Sequence, residues 1–263
     1  MLDDSAVKSL LAGRHDDPFA VLGLHADDSG RLWLRSFLPG AESVQVLDAA
    51  SGKIVCALAR RDTAGLFESA IPRRRKRFGY RLLIRWQSGA ETELADAYAF
   101  GPQLQTDDLV LLREGNHPAP YTVLGAQPMQ VDGIEGVRFA LWAPNARRVS
   151  VIGTFNQWDG RRHPMRLRHD AGIWEIFIPH VAIGDLYKFE LVDGRGHTLP
   201  SKADPYARAS ELRSGTASRV AALPELTALP ANRIEANRRD APISIYEVHS
   251  ASWRKGSNGG FPD

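Results

Sequence analysis

The residues able to do chemistry are of two kinds, carboxylates in adjacent pairs and aromatics near turns. Retaining cleavage of a glycosidic bond needs two carboxyl groups about 5–5.5 Å apart, one a nucleophile and one a general acid/base. Asp3-Asp4, Asp16-Asp17, Asp27-Asp28 and Asp107-Asp108 are merely adjacent in sequence. They read as helix caps, turns and loop charges. The eight histidines show no His/Cys spacing of a zinc site and no phosphate-cradling loop is present. No catalytic residue, metal site or cofactor is therefore expected. Trp158 is different, because it lies in a Gly/Asn/Asp-rich segment that reads as a turn. An indole there either packs beneath its own loop or stacks on the apolar face of a sugar, whose hydroxyls then meet polar side chains. Lys188 lies between Tyr187 and Phe189 in an alternating strand and points to the face opposite both, either solvated or in reach of a sugar hydroxyl.

The elements that must position these residues are short. Asp3, Asp4 and Ser5 precede Val7, Leu10 and Leu11 at helical spacing, with Gly13 as a stop, which predicts one short N-terminal amphipathic helix. Thereafter the pattern is strand-like: Leu32, Leu34, Ser36 and Leu38 alternate with Arg31, Trp33, Arg35 and Phe37 before a Pro39-Gly40 turn. Short strands divided by such turns suggest β-sandwiches.

An internal repeat of about 105 residues, the size of one sandwich, organises them. Asp17-Pro18-Phe19-Ala20-Val21-Leu22-Gly23 returns as Ala119-Pro120-Tyr121-Thr122-Val123-Leu124-Gly125, and Phe37-Leu38-Pro39-Gly40-Ala41 as Trp142-Ala143-Pro144-Asn145-Ala146. Gly65-Leu66-Phe67-Glu68 matches Gly172-Ile173-Trp174-Glu175, Tyr80 matches Tyr187, and Asp96-Ala97-Tyr98 matches Asp204-Pro205-Tyr206. Several matches in one order argue for two copies of one fold. The basic run Arg73 to Arg77 aligns with the loop from His180 to Gly184, so it is expected on a hairpin connection with its cations hydrated rather than on nucleic acid. In the first copy Leu47 to Gly52 stands where the second has Trp158 and brings no aromatic, which makes that domain a spacer. Trp33 and Trp86 lie in strand patterns and are expected to pack.

Composition sets the outer limits. With 263 residues, two domains are expected, and 33 basic against 31 acidic residues give no global charge to steer the chain to nucleic acid or membrane. The only cysteine, Cys56, excludes an internal disulfide and is expected as a buried apolar thiol. No stretch approaches the ~20 apolar residues that span a bilayer, and the chain is read as cytoplasmic.

Three segments carry a family resemblance. Asp17 to Gly23 resembles the opening of the first N-terminal domain of bacterial 1,4-α-glucan (glycogen) branching enzymes. Trp142 to Ala146, with Gly153-Thr154-Phe155-Asn156-Gln157-Trp158-Asp159-Gly160 and Tyr187-Lys188-Phe189, is similar to the family 48 carbohydrate-binding module. Ile243 to Arg254 resembles the first barrel strand of the family 13 glycoside hydrolases. The fold class so implied is all-β: two tandem immunoglobulin-like β-sandwiches with a short N-terminal helix, plus the first strand of an incomplete αβ barrel. The expected divisions are residues 1–108, a first sandwich; 109–224, the carbohydrate-binding module; 225–241, a linker; and 242–263, the start of a truncated barrel.

The resemblance implies α-glucan as partner, a neutral glycogen-like polysaccharide, with Trp158, Lys188 and Asn156 as candidate contacts. It further implies that the family's transferase reaction, cutting an α-1,4 linkage and re-forming it as α-1,6 in glycogen biosynthesis, belongs to a longer chain or to a separate catalytic barrel, since the family's catalytic carboxylates follow later barrel strands. The sequence departs from the glucan-binding pattern at Asp193-Gly194, followed by Arg195, Gly196 and His197 instead of a second tryptophan, and at Ser214 and Ser218, where a leucine and an asparagine are expected. Alternatives are a related family 13 debranching enzyme or trehalose-releasing hydrolase, which the first repeat argues against, and a purely structural interaction module.

Overall fold

The computed structural model describes residues 2–224, 228, 230–249, 253 and 255. They divide into two units, one up to Leu223 and one from Pro224.

The first unit begins with helix α1 (Asp4–Leu11). The Asp3 carboxylate accepts from the backbone N–H of Ser5 and Ala6 at 2.9 Å, satisfying donors that the first helical turn leaves unpaired. Asp17 caps a 3-10 turn over Pro18–Ala20 in the same way. Seven strands follow: β1 (Gly23–Ala26), β2 (Leu32–Phe37), β3 (Ala41–Asp48), β4 (Ile54–Asp62), β5 (Leu66–Ala70), β6 (Tyr80–Trp86) and β7 (Glu91–Leu94). All pairs are antiparallel, in the order β1-β2-β5-β4-β3-β6-β7. Strand β4 makes this ribbon a sandwich by changing partners along its length. Val44 faces Leu58 and Val46 faces Cys56, whereas Ala59 faces Glu68 on β5. Leu34, Val44, Phe67, Leu82 and Ile84 are buried between the two layers.

The second sandwich repeats the plan. Helix α2 (Thr106–Arg113) and a 3-10 turn over Pro120–Thr122 precede β8 (Gly125–Val131), β9 (Ile134–Trp142), β10 (Arg148–Gly153), β11 (Arg166–Arg168), β12 (Ile173–Pro179), β13 (Leu186–Val192), β14 (Ala209–Ser210) and β15 (Ser218–Arg219). Sheets β11-β12-β9-β8 and β10-β13-β15-β14 enclose Phe139, Val149, Val151, Trp174, Tyr187 and Phe189. Helix α2 is an addition to the sequence reading. Asp107 and Asp108 sit in its first turn, where the helix dipole favours negative charge. It spans the expected division at residue 108 and is held by the second copy, because Glu175 accepts from the N–H of Gln103 and Leu104 at 2.8 and 3.0 Å.

The polar skeleton is duplicated with the strands. Tyr80 donates to Asp96 at 2.7 Å and Tyr187 to Asp204 at 2.5 Å. Each aspartate also accepts a backbone N–H two residues on, from Tyr98 and from Tyr206. Burial, then the neighbouring carboxylate, pushes both phenols up, so each remains a donor. Glu68 accepts from Leu2 as Glu175 does from Leu104. Gly23 and Gly125 both take positive φ, and a Cβ at Gly23 would lie 2.8 Å from the Tyr98 carbonyl oxygen.

Two expectations are corrected here. The basic run is only partly hydrated: Arg74 pairs with Asp48 at 2.7 Å and lies over Phe78, and Arg77 donates to the Leu24 carbonyl. Cys56 is half-buried rather than fully enclosed, and burial raises its thiol pKa.

In the second unit, helix α3 (Ala231–Ala236) lies within the segment read as a linker. Ile243 to His249, expected as the first barrel strand, has no regular secondary structure, and Ile243, Ile245 and Tyr246 are exposed. Alternating apolar residues make a strand only where a neighbour takes up the backbone N–H and C=O groups. From Ser250 on, the expected barrel start lies outside the described residues except for Trp253 and Lys255.

Candidate functional site

Strands β10 and β13 lie side by side, with Ile152 opposite Lys188 and Gly153 opposite Tyr187. Val149, Val151, Tyr187 and Phe189 turn into the core. The alternate positions, Ile152, Lys188 and Glu190, therefore occupy the outer face, which is where the strand pattern places Lys188.

The segment after β10 returns over that face. A Cβ on Gly160 would meet the Glu190 carboxylate at 2.1 Å, so the loop lies directly against β13 two residues from Lys188. Its shape is held from beneath by Asn156. This side chain is 1% exposed; its Oδ1 accepts from the Gly153 N–H at 2.9 Å, and its Nδ2 donates to the Val151 carbonyl at 2.8 Å and to His163 Nδ1 at 2.9 Å. The last bond needs His163 neutral. Burial, then the adjacent Arg162, lowers the imidazole pKa to about 4, which keeps it so near neutrality.

Over this support Gln157 and Trp158 both take φ of 59°, a left-handed conformation that non-glycine residues enter at a cost. The Trp158 N–H bonds the Gly153 carbonyl at 3.0 Å, and its side chain is left 40% exposed. Phe155, by contrast, is tucked inward near Phe139. The loop thus spends one aromatic on the core and presents the other.

The far side of the face is the hairpin joining β14 to β15. Lys188 Nζ donates to Thr216 Oγ1 at 2.6 Å. Leu212, in the same hairpin, is 91% exposed. This exposed apolar side chain, in the hairpin that also carries Thr216, is a feature that sequence reasoning passed over. The signal available was Gly215, whose N–H closes the turn on the Leu212 carbonyl at 2.9 Å. Ser218 takes no part in the surface, since it is buried and its Oγ accepts from the Asp204 N–H. The Asp193-Gly194 turn closes on itself, with Asp193 accepting from the N–H of Arg195 and His197.

Of the three sequence candidates, Lys188 lies on the outer face of β13, Trp158 is partly exposed in the loop after β10, and Asn156 is buried beneath that loop with three side-chain hydrogen bonds. Besides Lys188 and Thr216, the outer face of β13 carries Glu190, which accepts from Arg148. An indole and such polar groups suit a polyhydroxylated ligand. Among the described residues, no three His, Cys, Asp or Glu side chains converge as a metal site would require. The adjacent aspartates are structural where their contacts are seen: Asp3 and Asp17 cap helical turns, and Asp27 is bound by Ser29, Arg31 and Trp33, which hold its pKa down to about 2.

Residues 3–98 match the family described as the N-terminal domain of alpha-1,4-glucan branching enzyme GlgB, and residues 123–207 match carbohydrate-binding module 48, the isoamylase N-terminal domain. Among solved structures, a putative alpha amylase from Salmonella typhimurium is 26% identical, the match covering 37% of this chain and 14% of that one at a TM-score of 0.29. A pullulanase from an Anoxybacillus species in complex with maltotetraose is 17% identical, covering 86% of this chain and 28% of that one at 0.33. A type I pullulanase from Bacillus subtilis in complex with maltose is 18% identical, covering 80% and 28% at 0.33. The chain spans between 14% and 28% of the length of these three proteins. It belongs, over residues 3–98, to the N-terminal domain family of the α-1,4-glucan branching enzymes and, over residues 123–207, to carbohydrate-binding module 48.

Proposed function

We propose that this chain is the glucan-binding and docking region of a 1,4-α-glucan branching enzyme of cytoplasmic glycogen biosynthesis, and that it is non-catalytic by itself. Glucan is held on the outer face of β13. Trp158 stacks on a glucose ring, Lys188 and Thr216 meet its hydroxyls, and Leu212 packs beside the chain of sugars. Asn156 is a positioning residue that holds Trp158 outward. The branching reaction is carried by a catalytic barrel that this region serves.

One observation carries the reading: a partly exposed indole in left-handed backbone, in a loop pinned from beneath by the buried Asn156 and lying against β13, the strand that carries Lys188. Strained backbone retained at a surface loop is a sign of function, since packing alone would relax it. The test is native electrophoresis through gels with and without glycogen, comparing the chain with Trp158→Ala and a non-binding control. Retardation that disappears in the variant is the expected result. Migration unaffected by glycogen in the unaltered chain would remove the glucan-binding role.

A further inference from the structure

The loop joining β5 to β6 and its counterpart joining β12 to β13 start alike and then part. Each opens on Ile-Pro, Ile71-Pro72 and Ile178-Pro179, and the next residue is left-handed in both, Arg73 at a φ of 56° and His180 at 63°. In the second copy the backbone amides that follow are taken up. The N–H of His180 bonds the Glu135 carbonyl, that of Ala182 the Asp185 carboxylate and that of Gly184 the Val220 carbonyl, each at 2.9 Å. In the first copy, among the described residues, none of the backbone N–H groups from Arg73 to Gly79 finds an acceptor. The side chains differ as well, since His180 to Gly184 brings no arginine or lysine where Arg73 to Arg77 brings only those.

These cations are unequally engaged. Arg74 pairs with Asp48 and Arg77 donates to the Leu24 carbonyl, whereas Arg73 and Arg75 are exposed and, among the described residues, meet no carboxylate. With Ile71, Pro72 and Arg74, and with Arg31 from the turn between β1 and β2, they line an open concavity of about 690 Å³. Arg31 is also without a carboxylate partner among the described residues and lies 5.9 Å from the Trp33 ring centre. Of the two acids in its turn, Asp27 is taken up by the Ser29 hydroxyl and the Trp33 indole N–H, and Asp28 does not line the space. Three unpaired guanidiniums therefore gather at one place, where their mutual repulsion is relieved by an anion.

We infer that this concavity on the first sandwich binds a short chain of linked phosphates, an inorganic oligophosphate, independently of the glucan face. A guanidinium meets phosphate oxygens through two parallel N–H bonds, and unused amides following a left-handed turn residue add further donors for anionic oxygen. Cations from two separate loops border a space larger than one phosphate fills, so several linked phosphates match it better than one. No aromatic side chain is in the lining, which leaves nothing for a sugar ring or a nucleobase to stack on. The site would give the first copy a ligand of its own, opposite in charge character to the neutral glucan.

Calorimetric titration of the full chain with inorganic tripolyphosphate tests this. Binding that weakens as salt rises is expected. Arg73→Asn, which keeps a residue at ease in left-handed backbone, combined with Arg75→Ala weakens it about tenfold or more at an unchanged urea midpoint, as loss of charge-assisted hydrogen bonds does. Arg31→Ala weakens it by a smaller factor. Removing the same charge from the exposed Arg85 and Arg195 leaves it intact, and so does Trp158→Ala. ATP binds through the same arginines no more tightly than tripolyphosphate. Absence of binding, or equal weakening by Arg85→Ala with Arg195→Ala, overturns the proposal. Orthophosphate bound as tightly as tripolyphosphate, ATP bound much more tightly, or an RNA oligonucleotide that displaces tripolyphosphate at lower concentration overturns it in favour of a single phosphate, a nucleotide or RNA respectively.

Discussion

The two sandwiches share a frame and differ in what they attach to it. In the first, the turn after β3 is closed by Asp48, which accepts from the Ser51 N–H and hydroxyl, and it displays no aromatic. In the second, the connection at the same place holds Asn156 beneath and Trp158 above. The frame is set by buried, mutually satisfied groups that tolerate little change, whereas the loop is set by a few local hydrogen bonds. A repeat can therefore keep its fold while its copies display different loops on it.

The sharpest way to break the comparison is to attack the shared frame. Asp204→Ala removes the carboxylate partner of the Tyr187 hydroxyl and of the Tyr206 N–H in the interior and should cost about 3 kcal/mol. Asp96→Ala does the same to Tyr80 and Tyr98 and should cost a similar amount, read as equal falls in urea midpoint. A large difference between the two would show that the copies do not share one frame. Asn156→Ala has no counterpart in the first copy. It strands the Gly153 N–H and the Val151 carbonyl, so about 2 kcal/mol is expected together with weaker glycogen retention, although Asn156 is buried.

How far these features were legible in the sequence follows from the range of the forces involved. Alternation at Leu32, Leu34 and Ser36 reports burial directly, and β2 formed where it was expected. Tyr187 and Phe189 point inward and Lys188 outward for the same reason. Helix α2 was missed because Leu109 to Leu112 are contiguous apolar residues, which leave no face to read. Ile243 to Val248 shows the converse, an alternating pattern that takes no regular secondary structure. Asn156 was read as a contact because its role depends on three groups that come together only after the chain turns.

A smaller effect should appear with pH, in the second copy alone. His163 is neutral in the folded loop, with a pKa lowered from 6.5 to about 4. The unfolded chain thus binds more protons between those values, so its contribution is full above about pH 6.5 and is lost as pH falls toward 4. Because His163 as a residue is partly exposed, the loss should be on the order of 2 kcal/mol. A His163→Gln variant should flatten this part of the pH-stability curve. An unchanged slope would mean that the imidazole is already protonated in the fold and that Asn156 holds the loop without it.

The smallest effect on stability is expected where the effect on binding is greatest. Trp158 is 40% exposed and its recorded hydrogen bond is made by its backbone, so Trp158→Ala should change stability by under about 0.5 kcal/mol. If the indole instead packed beneath its own loop, truncating it would remove buried area and cost several times more. Urea unfolding and glycogen electrophoresis on the same variant separate the two roles. Unchanged stability with lost retardation makes Trp158 a ligand contact, whereas lost stability makes it the lid of its own loop.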